Sequence, residues 1–319
     1  MSTIPIRRID HNRVMKQASA LLAEHQTVSD PEFLRDLPAA ADDLGELRPP
    51  EPGEDFYVLR GLRVPDDELG PTPPGWAQTD RQRTAAWDAV MLLLAAALGR
   101  PFGWHGQQAG RLVHDIVPGK GHETEQTGAS STVDLAAHNE DAFHPGRANI
   151  MLLGCLRNPD HVTTRAARVR DTRLATDEIA TLSRPALPIL PDDAYAEAQP
   201  SPLEPTPMRT LWHREDGLCL RFDPAYTPLE QAEDAFMSAY ERLAGELDRV
   251  SVGVPLEPGD VLVIDNDTVV HGREPFRARY DGTDRWLKRV NVRVPGRERP
   301  GERGEHGYGQ RTIEPYQVA

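Results

Sequence analysis

The chain has little cysteine. Only Cys155 and Cys219 occur in 319 residues, too few for a disulfide framework, which points to a reducing, cytoplasmic setting. Both lie in apolar runs, MLLGCL and GLCLRF, where a thiol is expected as a buried packing group rather than a nucleophile. Long apolar stretches are missing as well. The longest, Ala89 to Leu98, falls far short of the roughly 18 residues that span a bilayer. The opening MSTIPIRRIDHNR is too polar for the apolar core of a secretion signal. No segment recurs at the period of about 20–50 residues that marks a repeat protein. Positive charge is also short: 36 Lys+Arg stand against 50 Asp+Glu, a net charge of −14. Nucleic acid and anionic membranes attract the opposite sign, so neither is expected as a partner. A small-molecule partner is expected, and nothing here sets an oligomeric state.

Proline is abundant, with 29 residues, roughly twice average usage. It marks loops at 38–55 and 66–80 and a non-periodic stretch at 184–209 (RPALPILPDDAYAEAQPSPLEPTPMR). A loop that long in a globular chain is either a lid over a site or a disordered insert, and a lid is the expectation carried forward. Val14, Ala18, Leu21 and Leu22 predict an amphipathic helix over 12–26, and the Ala/Leu-rich 84–98 segment a buried one. FYVLRGL (56–62) reads as a strand. From about residue 102 short β-like runs follow one another: GRLVHDIVP, TVDLAAH, NIMLLGCL, ARVRD, LCLRF, DVLVIDN and RVNVRV. Many short strands divided by turn residues predict a β-sandwich or barrel. One helix interrupts them, with Leu229, Ala232, Phe236, Tyr240, Leu243 and Leu247 on one face. The tail from 296 to 319 is expected to be extended.

The chemistry concentrates in LAAHNEDAFHP. His138 and Glu140 stand at i and i+2. On a strand, side chains at that spacing leave the same face. Imidazole plus carboxylate suits a first-row divalent metal, and two His with one carboxylate form the facial triad of non-haem Fe(II) oxygenases. A third ligand is offered by GDVLVIDNDTVVHGREPF, where an apolar strand leads through a turn to His271. Arg285 and Arg289 follow. Arginine binds carboxylates in bidentate fashion, and a 2-oxo acid cosubstrate needs such a group beside its metal.

The segment HNEDAFHPGRANIMLLGCLRNPD, followed by GDVLVIDN, VVHGREPF and DGTDRWLKRVNVR, resembles the clavaminate synthase-like Fe(II)/2-oxoglutarate-dependent oxygenases. It is especially similar to the bacterial hydroxylases of free arginine, asparagine or lysine, over roughly residues 100–295. The resemblance implies an α+β fold: one domain over 1–319, with a mainly helical part at 1–99, a double-stranded β-helix (jelly-roll) core at 100–295 flanked by helices, the 184–209 lid, and the tail. It implies Fe(II) as cofactor, with 2-oxoglutarate and O2 as cosubstrates. His138, Glu140 and His271 would be the catalytic iron ligands. Arg285, fourteen residues after His271, matches the family's anchor for the 2-oxoglutarate carboxylate, assisted by Thr163 or Thr164. Arg289 matches the arginine that holds the amino-acid carboxylate. Gln107, or else Gln108, matches the residue that meets its amino group, which Glu140 also reaches. Ser130 and Ser131 are candidates for lining the substrate pocket. Asp223 stands where arginine hydroxylases place an aspartate facing the guanidinium; those enzymes carry a second two residues on, where this chain has Ala225.

The implied activity is hydroxylation at C3 or C4 of a free, basic amino acid in specialised-metabolite (antibiotic) biosynthesis. Glu140 occupies the position that related halogenases leave free for chloride, which favours hydroxylation over halogenation. A carrier-tethered amino acid and desaturation are the rivals within the family. Outside it stand a zinc hydrolase, whose first two ligands would be expected on a helix, and a non-catalytic β-barrel binding protein. His144 is expected to be structural, as are Trp104, Trp212 and Trp286. His105, His114, His161 and His213 show no partner pattern. Arg293 is expected either to line the site or to pair with a surface acid.

Overall fold

The computed structural model describes residues 4–25, 27–45, 47–192, 195 and 203–314. A parallel pair, β1 (Ile6–Arg8) and β2 (Phe56–Arg60), brackets α1 (His11–His25) and α2 (Pro31–Asp42). The Asp30 carboxylate caps α2 by accepting the Glu32 N–H at 2.8 Å, and Pro31 takes the first helical position. Thus α2 runs into the stretch expected as a loop at 38–55. Phe33, Leu37 and Ala41 recur at helical spacing and are buried together, and that burial outweighs the local signal of Pro38. A single turn, α3 (Asp66–Leu69), interrupts the 66–80 loop. It is followed by α4 (Arg81–Leu98), capped by Asp80.

The remaining elements are β3 (Arg100–Trp104), β4 (Val113–Ile116), β5 (Leu135–His138), β6 (Ile150–Arg157), β7 (Thr163–Arg168), α5 (Thr176–Leu182), β8 (Leu211–Arg214), β9 (Gly217–Leu220), α6 (Asp234–Val250), β10 (Val252–Pro255), β11 (Val261–Asp265), β12 (Val269–Arg273), β13 (Trp286–Arg293) and β14 (Thr312–Ile313). The chain is α+β. A large sheet runs β1-β2-β11-β6-β13-β3-β14, with β4 also on β13, and a smaller one runs β10-β7-β12-β5.

Three apolar layers follow. Between the sheets lie Phe56, Met151, Leu153, Ala166, Val254, Leu262, Ile264, Val269 and Leu287. Behind the large sheet, α1, α2 and α4 pack on Val263, Trp286, Val290 and Val292. That is why α4 is apolar nearly all round. Behind the small sheet, α5 and α6 pack with Leu211, Leu220 and Val270. β13 serves two layers by strand alternation: Trp286, Lys288, Val290 and Val292 face α4, while Leu287, Arg289, Asn291 and Arg293 face the opposite way. Lys288 is fully buried, its ammonium 2.7 Å from Asp88 and 2.6 Å from Asp115.

Both cysteines are free and buried, and burial pushes each thiol up to about 12. No described helix is long and apolar enough to cross a membrane. The tail departs from the extended form expected. It folds back on the core through Glu302 with Arg147, Glu305 with Arg221 and Arg299 with Asp267, and β14 adds to β3. Arg147 and Arg221 are buried guanidiniums that need these carboxylates. In the 184–209 stretch, Leu187, Ile189, Tyr195 and Met208 are buried, and Leu187 pairs with Met208. The rest of the expected lid, at 193, 194 and 196–202, lies outside the described residues.

Candidate active site

β5 and β12 are antiparallel neighbours with His138 directly opposite His271, their rings 4.4 Å apart. β5 ends at His138, so Glu140 is not placed by strand alternation as the spacing suggested. An amide clamp places it. Asn139 takes the backbone N–H of Phe222 at 2.8 Å and donates to the carbonyls of Asn266 and Val269. Asn266 in turn takes the Glu140 N–H at 2.8 Å and donates to the Glu140 carbonyl at 3.0 Å. The turn thus bends Glu140 toward the two histidines. Ligand atoms of His138, Glu140 and His271 lie within 4.8 Å of one another. The His138 Nδ1 is 2.8 Å from the Ala136 carbonyl, which only accepts. Nδ1 therefore carries the proton, and Nε2 presents its lone pair. Burial raises the Glu140 carboxyl above its ordinary value and holds His271 well below its own.

A cationic end lies beside this triad. The Arg285 guanidinium is buried, donates to Thr164 Oγ1 at 2.9 Å, and leaves its Nε without a hydrogen-bond partner among the described residues. Thr163 leaves the other face of β7, against Gly253, so the structure brings Thr164 rather than Thr163 to Arg285. Arg273, two residues past His271, is a second buried guanidinium. It donates to the Ser131 and Glu274 carbonyls and to Ser130 Oγ at 2.8 Å. Neither arginine has a carboxylate partner among the described residues. Burial lowers both to about 10, and Arg285 contributes to the shift of Arg273. Ser130, whose hydroxyl also donates to Thr127 O, is thus committed to this end of the site.

Arg289 reaches the triad from β13. It pairs with Glu140 and donates to Gln107 Oε1 and His114 Nδ1, each at 2.9 Å, and its Nε is buried without a hydrogen-bond partner among the described residues. Gln108 instead bonds the Asp115 backbone twice. His114, which showed no partner pattern in the sequence, belongs to the site. Its Nδ1 accepts from Arg289 and its Nε2 donates to the Arg111 carbonyl at 3.0 Å, and burial beside Arg289 keeps it neutral.

Asp223 sits near His138 and Glu140. Its carboxyl is pushed up to about 6 by burial, and Oδ1 accepts the Ala225 N–H at 3.1 Å. Nothing in the sequence pointed to Asp192. It is pushed up to about 8 by burial and by the nearby Asp141, Glu140 and Asp223 carboxylates. Asp141 accepts from Trp104 Nε1 at 2.7 Å, Asn291 Nδ2 at 2.9 Å and Tyr195 OH at 2.6 Å. His144 is structural: it accepts the Gly146 N–H and packs on Trp104. Arg293 pairs with Glu314 and lies over Phe102, away from the triad.

Residues 195–291 match the taurine catabolism dioxygenase TauD, TfdA family. Enduracididine beta-hydroxylase of Streptomyces hygroscopicus is 36% identical over 92% of this chain and 94% of its own. Clavaminate synthase 2 of Streptomyces clavuligerus is 34% identical over 78% and 79%. The chain is a clavaminate synthase-like oxygenase of the TauD/TfdA family. The L-ornithine/L-arginine 3-hydroxylase of Catenulispora acidiphila is 32% identical to this oxygenase over 92% of the chain and 94% of that enzyme. Among solved structures, the non-heme iron oxygenase OrfP with Fe, succinate and (3R,4R)-dihydroxy-L-Arg superposes with a TM-score of 0.81 at 35% identity, covering 91% of this chain and 94% of that one.

The oxygenase is an Fe(II)/2-oxoglutarate-dependent dioxygenase, and its residues fit both groups. Two imidazoles and a carboxylate suit Fe(II). The unpartnered Nε of buried Arg285, with Arg273 behind it, suits a dianionic 2-oxo acid.

Proposed function

We propose that this oxygenase hydroxylates C3 or C4 of a free amino acid with a basic side chain, such as arginine, lysine or a related non-proteinogenic amino acid, in the biosynthesis of a specialised metabolite. When bound, Fe(II) with 2-oxoglutarate and O2 supplies the oxidising power to break an unactivated C–H bond. The protein's residues bind, orient and exclude water. His138, Glu140 and His271 hold the metal. Arg285, fixed by Thr164, takes the distal carboxylate of 2-oxoglutarate, and Arg273 with Ser130 and Ser131 backs it. Arg289 takes the α-carboxylate, steadied by Gln107 and neutral His114. Gln107 and the second oxygen of Glu140 meet the ammonium, and Asp223 with Asp192 meets the side-chain cation.

The observation that carries the reading is the presence of both charges beside one triad. A buried guanidinium, Arg289, pairs with Glu140 and keeps an Nε with no hydrogen-bond partner among the described residues, and a buried acid, Asp223, lies near His138. That distribution complements an α-carboxylate and a distal cation in one molecule. A carrier-tethered thioester offers no carboxylate to Arg289, which favours the free acid. The reading includes a single domain whose facing sheets form the double-stranded β-helix, a cytoplasmic location, and the 184–209 stretch as cover for the substrate. The test is turnover of the twenty amino acids with ornithine, citrulline and cyclised arginines, read by mass spectrometry for gain of one oxygen with succinate formed in step. Modification of a basic member is expected. A panel with no product, or product without succinate, overturns the proposal.

A further inference from the structure

Gln107 with Gln108, and His114 with Asp115, are two adjacent pairs that the fold sets against each other. Gln108 and Asp115 bind one another: the Asp115 N–H donates to Gln108 Oε1, and Gln108 Nε2 donates to the Asp115 carbonyl, each at 2.9 Å. Gln107 and His114 meet at one atom of β13. Arg289 Nη2 donates to Gln107 Oε1 and to His114 Nδ1, each at 2.9 Å. A guanidinium Nη carries two hydrogens, so both are committed to this pair. The orientation of the guanidinium therefore depends on where the 107–115 hairpin sits.

β4 is four residues long and pairs with β13 alone among the described strands, which leaves it an open edge. A residue of an antiparallel strand sends its N–H and C=O to one side, and those of Asp115 both meet the Gln108 amide rather than a further strand. Side chains set the register. Asp115 lies opposite Lys288, and His114 opposite Arg289. Toward α4, the Asp115 carboxylate accepts from Trp286 Nε1 at 2.9 Å, Lys288 Nζ at 2.6 Å and Arg81 Nη1 at 2.8 Å. Alternation then turns His114 to the site, and a slip of one residue would turn it to α4. The loop that carries Gln108 is strained. Gln108 and Ala109 have φ of +44° and +56°, which costs non-glycine residues energy and persists only where the surroundings impose it. The paired hydrogen bonds to Asp115 do so.

We propose that Gln108 is a positioning residue for the α-carboxylate of the amino acid: its side-chain amide stands in for a missing strand at the edge of β4 and so holds Gln107 and His114 together on Arg289. Gln108 acts only through those two side chains. Without its amide, Asp115 stays tied to β13 by its carboxylate, so His114 keeps its place. Gln107 is released, Arg289 Nη2 loses one of its two acceptors, and the guanidinium is free to turn. The group that receives the carboxylate is then no longer held in one orientation, while the iron ligands and the Arg285 end keep all their contacts.

This role for Gln108 rests on the reading of Arg289 as the anchor of the α-carboxylate, and the experiment separates the two. Anaerobic calorimetry on the Fe(II) and 2-oxoglutarate-loaded enzyme gives the Kd of L-arginine and of L-argininamide, which has the same shape without the carboxylate charge. L-lysine and L-lysinamide serve where lysine binds more tightly. In Gln108→Leu the amino acid should weaken by about tenfold, the loss of one hydrogen bond to a charged group, and its amide by less than about twofold. Affinity for 2-oxoglutarate, followed by the metal-to-ligand band, should also change by less than about twofold. Gln108→Met, which keeps an unbranched stem and likewise lacks the amide, should behave alike and serves if the leucine variant folds poorly. A merely structural role predicts equal losses for the amino acid and its amide, and that result overturns the proposal. So does an unchanged Kd for the amino acid in both variants, or an equal loss of 2-oxoglutarate affinity. A wild type that binds neither pair, or binds an amino acid no better than its amide, overturns the underlying reading instead.

Discussion

Replacing Thr164 by valine tests how the cosubstrate end is built. Thr164 is buried on β7, and its Oγ1 accepts from Arg285 Nη2 at 2.9 Å. Valine has nearly the same shape and removes only the acceptor. Arg285 would then keep no described hydrogen-bond partner, and its guanidinium would lose its fixed orientation toward the incoming carboxylate. A hydrogen bond to a charged group contributes roughly 1.5–3 kcal/mol, and about 1.4 kcal/mol is a factor of ten in Kd. Affinity for 2-oxoglutarate should therefore fall about tenfold to a hundredfold. Thr163→Val is the internal control. That side chain leaves the opposite face, where a Cβ on Gly253 would lie 2.7 Å from its methyl. Its effect should stay within about twofold, as for a surface-facing change. The assay is anaerobic titration of the Fe(II) enzyme with 2-oxoglutarate, following the metal-to-ligand absorption band. Equal weakening by both variants, or a larger loss in Thr163→Val, refutes the assignment of Thr164 and the alternation on which it rests.

Two further outcomes concern the scaffold. Lys288→Met leaves Asp88 and Asp115 buried without their shared ammonium, and breaking such a pair costs about 3–5 kcal/mol near neutral pH, measurable by urea unfolding. Burial already raises the Asp88 carboxyl, and loss of Lys288 raises it further. A carboxyl whose folded value lies above its unfolded one binds its proton more tightly when folded. The variant's deficit should therefore grow as pH rises above the unfolded carboxylate range near about 4 and shrink as pH falls toward it; a deficit independent of pH would contradict this. Glu305→Gln removes the carboxylate 2.7 Å from buried Arg221, whose Nε holds the Ala142 carbonyl just past the metal turn. The melting temperature should drop by several degrees, as expected for a loss of about 1–3 kcal/mol at a site that retains Glu302 nearby, and an unchanged melt would show that the tail does not brace this turn.

Much of the site was legible because its chemistry is carried by residue types at short, fixed spacing. His138, Glu140 and His271, and the pair Arg285 and Arg289, converge as their motifs suggest. Gln107 rather than Gln108 meets Arg289. Alternation on β13 put Arg289 on the face turned away from α4, since that rule depends only on the backbone pleat, and Arg285 precedes the strand by one residue. Yet the means of convergence was not legible. Glu140 stands beyond the end of its strand and is aimed by Asn139 and Asn266, two amides 127 residues apart.

His114, Arg273, Asp141 and Asp192 were invisible for the same reason. Each acquires its role only from a neighbour far along the chain, and each alone reads as an ordinary polar residue. The tail misled because its many arginines and glutamates look solvated in sequence, whereas in the fold they neutralise one another against buried Arg147 and Arg221. By itself the sequence determined the chemistry: an acidic, cysteine-poor oxygenase with a two-histidine, one-carboxylate centre. Tertiary structure alone decided which groups are desolvated and which of two adjacent candidates faces inward. Burial and long-range pairing arise from packing between layers, and no local window of residues contains that information.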